Sequence, residues 1–500
     1  MTLQTALEKF AAYQQAAHAY SHAIGVLYYD GVTGAPRGGA PERGDTLAFL
    51  SGEMYRLTTA PETAEIVETI LTHAAEVTPG QARSAYLLRK ELTELRAIPA
   101  EEYTAYKKLE SDSSDVWHTA KEQNNWTLWE PYLEKIVAAQ RRFAALCAPD
   151  KDPYDYCLDK FEEGLTMQRC DEFFAVLRQR IVPLLEKVKA AAPPDTDFIH
   201  VSVSEPAQDK LCRRLMELIG MNPLYSSLAT TEHPFTTNFS KHDVRITTHY
   251  FEEDFASGMF SVIHEGGHAL YELNTADDLR SVGLDTGCSM AIHESQSRFF
   301  ENILGRSRAF CECVFPMLCE YVPGLENHTA EELYRAVNRA EPSLVRTEAD
   351  ELTYCLHIMV RYKIEKAMMH GEVEVKDLPA LWNRLYKEYL GVDVPDDRRG
   401  ILQDSHWSDG GIGYFPSYAL GSAYGAQLLR RMKRDVAVDE CVRAGDFRSV
   451  SVWLTEKIWR FGQLLTPAEV LSNALGESFD PTVFCDYLEE KYTELYNLEK

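Results

Sequence analysis

No uninterrupted apolar run in this sequence approaches the roughly 18 residues that a membrane-spanning helix needs, which excludes a bilayer-crossing segment. The opening residues, Met1 to Phe10, lack a basic stretch followed by an apolar one, and without that signature the expectation is a cytoplasmic protein. Basic side chains are in deficit, 51 against 77 acidic ones, and the formal charge of −26 repels phosphate backbones and anionic lipid surfaces alike. Nucleic acid and membrane are therefore not expected as partners. The eleven cysteines form no C-x-x-C pair, and their odd number suits thiols in a reducing compartment better than a disulfide framework. No G-x-S-x-G turn supports a serine nucleophile, and internal repeats and low-complexity tracts are missing.

What is present is an ordinary globular composition, 45% hydrophobic and 26% charged over 500 residues. That length implies two or three substructures, or one continuous body built around a long cleft. Up to about Ala191 apolar residues recur every three or four positions and glycine is scarce, the pattern of amphipathic helices. Glu130 to Cys147 illustrates it, with Leu133, Ile136, Val137, Phe143 and Leu146 on or near one face. The run Ala190 to Asp197 contains Pro193 and Pro194 and cannot continue a helix, so it divides an N-terminal helical region, 1–195, from a second region, 196–500. The one clear strand signal lies between Phe235 and Phe251, where two short alternating runs flank the turn-forming Ser240 to Asp243 and predict a β-hairpin. Helical periodicity returns from Gly258. The Gly-, Pro- and aromatic-rich stretch Gly391 to Tyr418 predicts a long functional loop. The fold class expected is mainly α, with a small hairpin or sheet.

The hairpin ends just before His264-Glu265-Gly266-Gly267-His268. Two histidines four residues apart share a helix face and can hold one ion, while the glutamate between them stands ready to take a proton from a water. A catalytic zinc site needs three protein ligands and an open position, so His264 and His268 require a third. Glu294, in His293-Glu294-Ser295-Gln296-Ser297-Arg298, is the preferred candidate, with Glu272 and Glu301 as alternatives and Arg298 placed to pair with a neighbouring acid. Gly266 and Gly267 each weaken a helix by up to about 1 kcal/mol, which is expected where substrate backbone must approach closely.

Several further motifs match one family in order. His233-Pro-Phe235 resembles its H-P-F, Asp243 to Thr247 its D-x-R-x-T, His293 to Gln296 its H-E-S/G-Q, Val345 to Asp350 its I-R-x-x-A-D, and Gly400 to Trp407 its G-x-x-Q-D-x-H-W. With H-E-x-x-H these make the sequence similar to the thermostable carboxypeptidase 1, or carboxypeptidase Taq, metallocarboxypeptidases. The one departure is Val345 in place of isoleucine. The resemblance implies a helical fold with a deep groove, a third ligand within the H-E-S/G-Q segment, one divalent ion per subunit, zinc or cobalt, and a homodimer. The N-terminal region then forms one wall or lid of the groove, and Glu265 acts as general base in the release of C-terminal residues.

Recognition of a free C-terminus calls for an arginine that meets the carboxylate with paired bonds. Arg245 and Arg346 lie inside the matched motifs, and Arg361 is a third choice; the alternative for the first two is a structural ion pair with Asp243 or Asp350. His406, Tyr414 and Tyr418 are candidate donors to the oxyanion at the scissile carbonyl. An edge of the hairpin would let an extended peptide add as a strand, giving broad specificity. The rival readings are an oligoendopeptidase or aminopeptidase with the same metal helix, and a helical binding protein without catalysis. The presence of His264, Glu265, His268 and Glu294 together argues against the last.

Overall fold

Helices make up most of the computed structural model, which describes residues 1–499. The first part is a succession of them: Leu3–Thr33, Ala40–Thr59, Pro61–Thr72, Pro79–Ala97, Ala100–Gln123, Trp126–Cys147, Pro153–Phe161 and Met167–Ala190. Local chemistry sets their limits. Thr78 accepts from the Gln81 N–H while the Gln81 side chain accepts from the Thr78 N–H, and Pro79 occupies the first helical position, where no donor is needed. In Trp126–Cys147 the residues Leu133, Ile136, Val137 and Phe143 are buried, as their spacing predicts. The chain leaves helix after Ala190, ahead of Pro193 and Pro194, and re-forms as the short turn Asp197–Ile199.

A small apolar core joins the earliest helices through Ala6, Phe10, Ile66, Ile70, Leu88 and Leu92. The large core runs from Ile98 to Tyr496, so Trp129 and Leu177 belong to the same packed interior as Ile263 of the H-E-x-x-H segment. Among the described residues no helix is long and apolar enough to cross a membrane.

The strand region is a three-stranded sheet of β1 (Ser226–Thr230), β2 (Thr236–Ser240) and β3 (Asp243–Thr248), ordered β1-β3-β2. β2 and β3 form the predicted antiparallel hairpin, with Thr236 opposite Ile246 and a register shift between Asn238 and Ser240. β1, parallel to β3 with Ser226 opposite Val244, was not predicted. Its sequence Ser-Ser-Leu-Ala-Thr carries one large apolar side chain, Leu228, and so shows no alternation to read. Val244 and Ile246 are fully buried and seat the sheet in the core, while β2 is left as an edge.

Three helices then converge. The motif helix Phe255–Leu273 starts at Asp254, whose carboxylate accepts from the Ser257 N–H at 3.2 Å. The carboxylate helix Met290–Arg298 starts at Ser289, whose hydroxyl accepts from Ile292 at 3.2 Å, and it continues into a π-helical turn, Phe299–Leu304. The third, Pro416–Met432, follows the mostly irregular 391–415 segment and packs against the carboxylate helix.

Candidate active site

Close packing of these helices depends on glycine. A Cβ on Gly267 would lie 2.6 Å from the Gln296 carbonyl oxygen and 2.7 Å from the Ser297 Cα, and one on Gly266 would strike the Ile219 side chain. On the opposite side, a Cβ on Gly421 would lie 2.5 Å from that of Glu294. The carboxylate helix is thus gripped between two helices that each present a glycine at the point of contact. This corrects the expectation that Gly266 and Gly267 make room for substrate: they make room for helices, and so set the depth at which Glu294 stands.

At that depth Glu294 Oε2 lies 3.9 Å from His264 Nε2, and Glu294 Oε1 lies 3.9 Å from His268 Nε2. One ligand atom from each of the three residues falls within 4.8 Å of the others. Separations of 3.9 Å are a little wider than the roughly 3.4 Å that tetrahedral bonds of about 2.1 Å give, a gap that small side-chain rotations close, and two imidazoles with one carboxylate are a donor set that zinc accepts, so the residues fit a divalent metal. Glu272 and Glu301, the alternative third ligands, stand one layer further out. Glu301 Oε2 meets His264 Nδ1 at 2.7 Å, and Glu272 Oε1 meets His293 Nε2 at 2.6 Å, with His293 Nδ1 in turn 2.9 Å from His268 Nδ1. Both histidines of the cluster therefore have Nδ1 engaged and Nε2 turned inward.

Arg298 pairs with neighbouring acids as expected, its Nη1 3.3 Å from Glu301 Oε2 and its Nε 3.9 Å from Glu294 Oε2, and its guanidinium lies over the Tyr354 ring at 3.9 Å. Burial alone would raise the Glu301 pKa; Arg298 and the His264 bond outweigh it and bring it down to about 2. Glu265 is buried, which raises its affinity for a proton. Its Oε2 accepts from Thr236 Oγ1 at 2.6 Å, and the same hydroxyl lies 3.0 Å from the Glu265 carbonyl oxygen, so the edge strand β2 holds this residue directly.

The two leading arginines sit in different settings. Arg245, on β3, is bidentate to Asp243 at 2.8 and 2.7 Å and lies against the rings of Tyr29 and Phe239. Arg346 is buried and is not paired with Asp350, which caps the helix Glu351–His370 through the Leu352 and Thr353 N–H groups. Arg346 donates instead to Asp404 Oδ1 from Nε at 3.0 Å and Nη2 at 2.8 Å, and to Tyr354 from Nη1 at 2.8 Å. Arg361, fully buried, donates to Asp404 Oδ2 from Nε at 2.7 Å, with Nη2 at 2.6 Å. One carboxylate thus serves two guanidiniums, and the cluster keeps an excess positive charge. Although burial opposes it, that charge holds Asp404 far below the usual carboxylate range.

Around this charge stand the aromatic candidates. The Arg346 guanidinium lies 4.8 Å from the Tyr418 ring, His406 Nε2 is 3.1 Å from the Tyr418 hydroxyl, and the Tyr414 and Tyr418 rings are 5.1 Å apart. Burial and the nearby Arg346 push His406 down to about 3, so its ring is uncharged at neutral pH. Its Nδ1 is buried with no partner. Burial raises the pKa of both tyrosines, with the charge of Glu294 adding to the rise and that of Arg346 opposing it. The sequence did not mark Thr236, His293, Tyr354 and Asp404 as parts of this site. His293 and Asp404 belong to the quoted motifs and Thr236 adjoins one; that membership was the available signal.

Known proteins resemble this chain along nearly its whole length. The family model for carboxypeptidase Taq (M32) metallopeptidase matches residues 9–492. The chain is 38% identical over 482 residues to carboxypeptidase 1 of Bacillus subtilis, covering 96% of each, and 36% identical over 481 residues to thermostable carboxypeptidase 1 of Pyrococcus furiosus, covering 95% of this chain and 96% of that one. Among solved structures it superposes on an M32 carboxypeptidase from Deinococcus radiodurans with a TM-score of 0.94 at 33% identity, covering 99% of this chain and 100% of that one. Metallocarboxypeptidase 1 of Trypanosoma cruzi gives 0.92 at 33%, with 98% and 99% covered. The chain belongs to the carboxypeptidase Taq (M32) family, and it is a metal-dependent carboxypeptidase.

Proposed function

We propose that the enzyme removes C-terminal residues from peptides with broad specificity, using Glu265 as general base and Arg346 as the group that binds the terminal carboxylate. The observation that carries this reading is the excess charge at Arg346, whose guanidinium lies 4.8 Å from the Tyr418 ring and shares Asp404 with Arg361. His264, His268 and Glu294 would hold one zinc or cobalt ion. When bound, a divalent ion there supplies Lewis acidity, which lowers the pKa of a water and polarises the scissile carbonyl.

The chain's own groups supply the rest. Glu265 keeps one oxygen on Thr236 and has the other for the proton of the attacking water, which it then delivers to the departing amine. Tyr414, Tyr418 and His406 offer donors for the oxyanion. The free edge of β2, joined to Glu265 through Thr236, offers main-chain bonds to an extended peptide, and main-chain recognition accepts many side chains. Arg245 is left as a structural pair with Asp243. The N-terminal region, 1–195, forms one wall of a groove against region 196–500, a reading supported by Phe161 meeting Tyr414 with ring centroids 5.1 Å apart and by Tyr29 lying against Arg245. Homodimerisation rests on the family resemblance. A cytoplasmic location rests on the composition and on eleven cysteines that are all free thiols.

The test is mass spectrometry of one peptide with a free and with an amidated C-terminus, incubated with enzyme plus cobalt or zinc. Stepwise loss from the free C-terminus alone, abolished in Glu265→Gln, is expected. Internal cleavage of both peptides would make the protein an oligoendopeptidase, and loss from the N-terminus an aminopeptidase.

A further inference from the structure

The two ligand histidines are supported differently, and the longer support defines a further residue of the mechanism. His264 Nδ1 meets a carboxylate, Glu301, directly, whereas His268 Nδ1 meets a second imidazole, His293, which passes the contact on to Glu272. We propose that His293 is a positioning residue: backed by Glu272, it engages Nδ1 of His268 and holds that ring with Nε2 turned to the metal position. This rests on the ligand assignment made above.

Glu272 fixes which nitrogen of His293 bears hydrogen toward it. Glu272 is buried, and its Oε1 accepts from the Gly287 backbone N–H at 3.0 Å and from Thr286 Oγ1 at 2.8 Å, while its Oε2 accepts from Asn238 Nδ2. A carboxyl group met by three donors acts as an acceptor only. The His293 nitrogen 2.6 Å from Oε1 must therefore be the one bearing hydrogen, Nε2–H. His293 Nδ1 then faces His268 Nδ1 from 2.9 Å, and one hydrogen must lie between them, because two lone pairs meeting inside the protein would leave both without a donor. Nε2 of His268 is turned to the cluster, 3.9 Å from Glu294 Oε1, and binding a metal there leaves the His268 hydrogen on Nδ1, where His293 accepts it.

The ring of His293 is held in the orientation this requires. A Cβ on Gly287 would run into it on one side, and the Tyr271 ring lies 5.0 Å away, centroid to centroid. Asn238 ties the same chain to the edge strand β2, so β2 holds the motif helix at two points, Thr236 on Glu265 and Asn238 on Glu272.

The experiment is cobalt(II) binding to the metal-free protein, followed by competition with a chelator and by the visible absorption of bound cobalt. His293→Leu should weaken cobalt binding about 10- to 100-fold and alter the absorption band, the effect expected when the partner of a metal-bound histidine is removed. His293→Gln should restore most of the affinity, because an amide can offer oxygen to His268 and an N–H to Glu272. Unchanged affinity in His293→Leu, with His264→Ala weakened, would overturn the proposal and leave the ligand assignment standing. Unchanged affinity in both would overturn the ligand assignment itself. Should His293→Leu fail to fold, Glu272→Gln decides: a fall of about tenfold at an unchanged melting temperature of the metal-free protein supports the proposal, and no fall contradicts it.

Discussion

Arg245 and Arg346 each stand in a short motif with an aspartate close by in sequence, yet their surroundings make them different groups. On β3, Arg245 and Asp243 pair one to one, with side chains 28% and 35% exposed, so their charges cancel in contact with water. At the other place Asp404 is shared by Arg346 and Arg361, with exposures of 11%, 7% and 0%, and one positive charge is left over in a buried setting. A guanidinium becomes a receptor for an anion when its local partner is insufficient. Exposure alone would have pointed to Arg245; the count of charges points to Arg346.

The sharpest way to break this contrast is at Asp404. Asp404→Asn leaves two buried guanidiniums without a counter-charge and should destabilise the fold by about 3–5 kcal/mol, read by chemical denaturation. Acid should act on the same group. Because the folded-state pKa of Asp404 is depressed, its contribution is fully present above the unfolded value near 4 and is lost as pH falls below it. Stability of the unsubstituted enzyme should therefore drop below about pH 4, more steeply than that of Asp404→Asn.

Arg346→Gln should come next. Asp404 then keeps Arg361 as a one-to-one partner and the fold should persist, but kcat/KM on peptides with a free C-terminus should fall about 100-fold, the worth of two charge-assisted bonds at about 1–2 kcal/mol each. Arg245→Gln should do least: a stability change within about 1 kcal/mol and kcat/KM nearly unchanged. A large catalytic loss in Arg245→Gln with little in Arg346→Gln would reverse the comparison.

Much of the site was legible in the sequence because its parts are local. His264, Glu265 and His268 need only helical spacing, and Glu294 is marked by the segment around it. The hairpin was legible from alternation and turn residues, whereas β1 has too little apolar content to alternate. Long-range partners were not legible. Arg346 finds Asp404 58 positions away and not its neighbour Asp350, whose oxygens are taken by the N-terminus of a helix. Gly267 and Gly421 are far apart in the chain, and only their common contact with the carboxylate helix explains why neither carries a side chain.

The most direct test of the account compares kcat/KM for one peptide as free acid and as C-terminal amide, in the unsubstituted enzyme and in Arg346→Gln. The free acid should be preferred by about 100-fold or more, and the preference should collapse toward one in Arg346→Gln. A preference that survives this substitution undiminished would contradict the assignment of Arg346 to the terminal carboxylate.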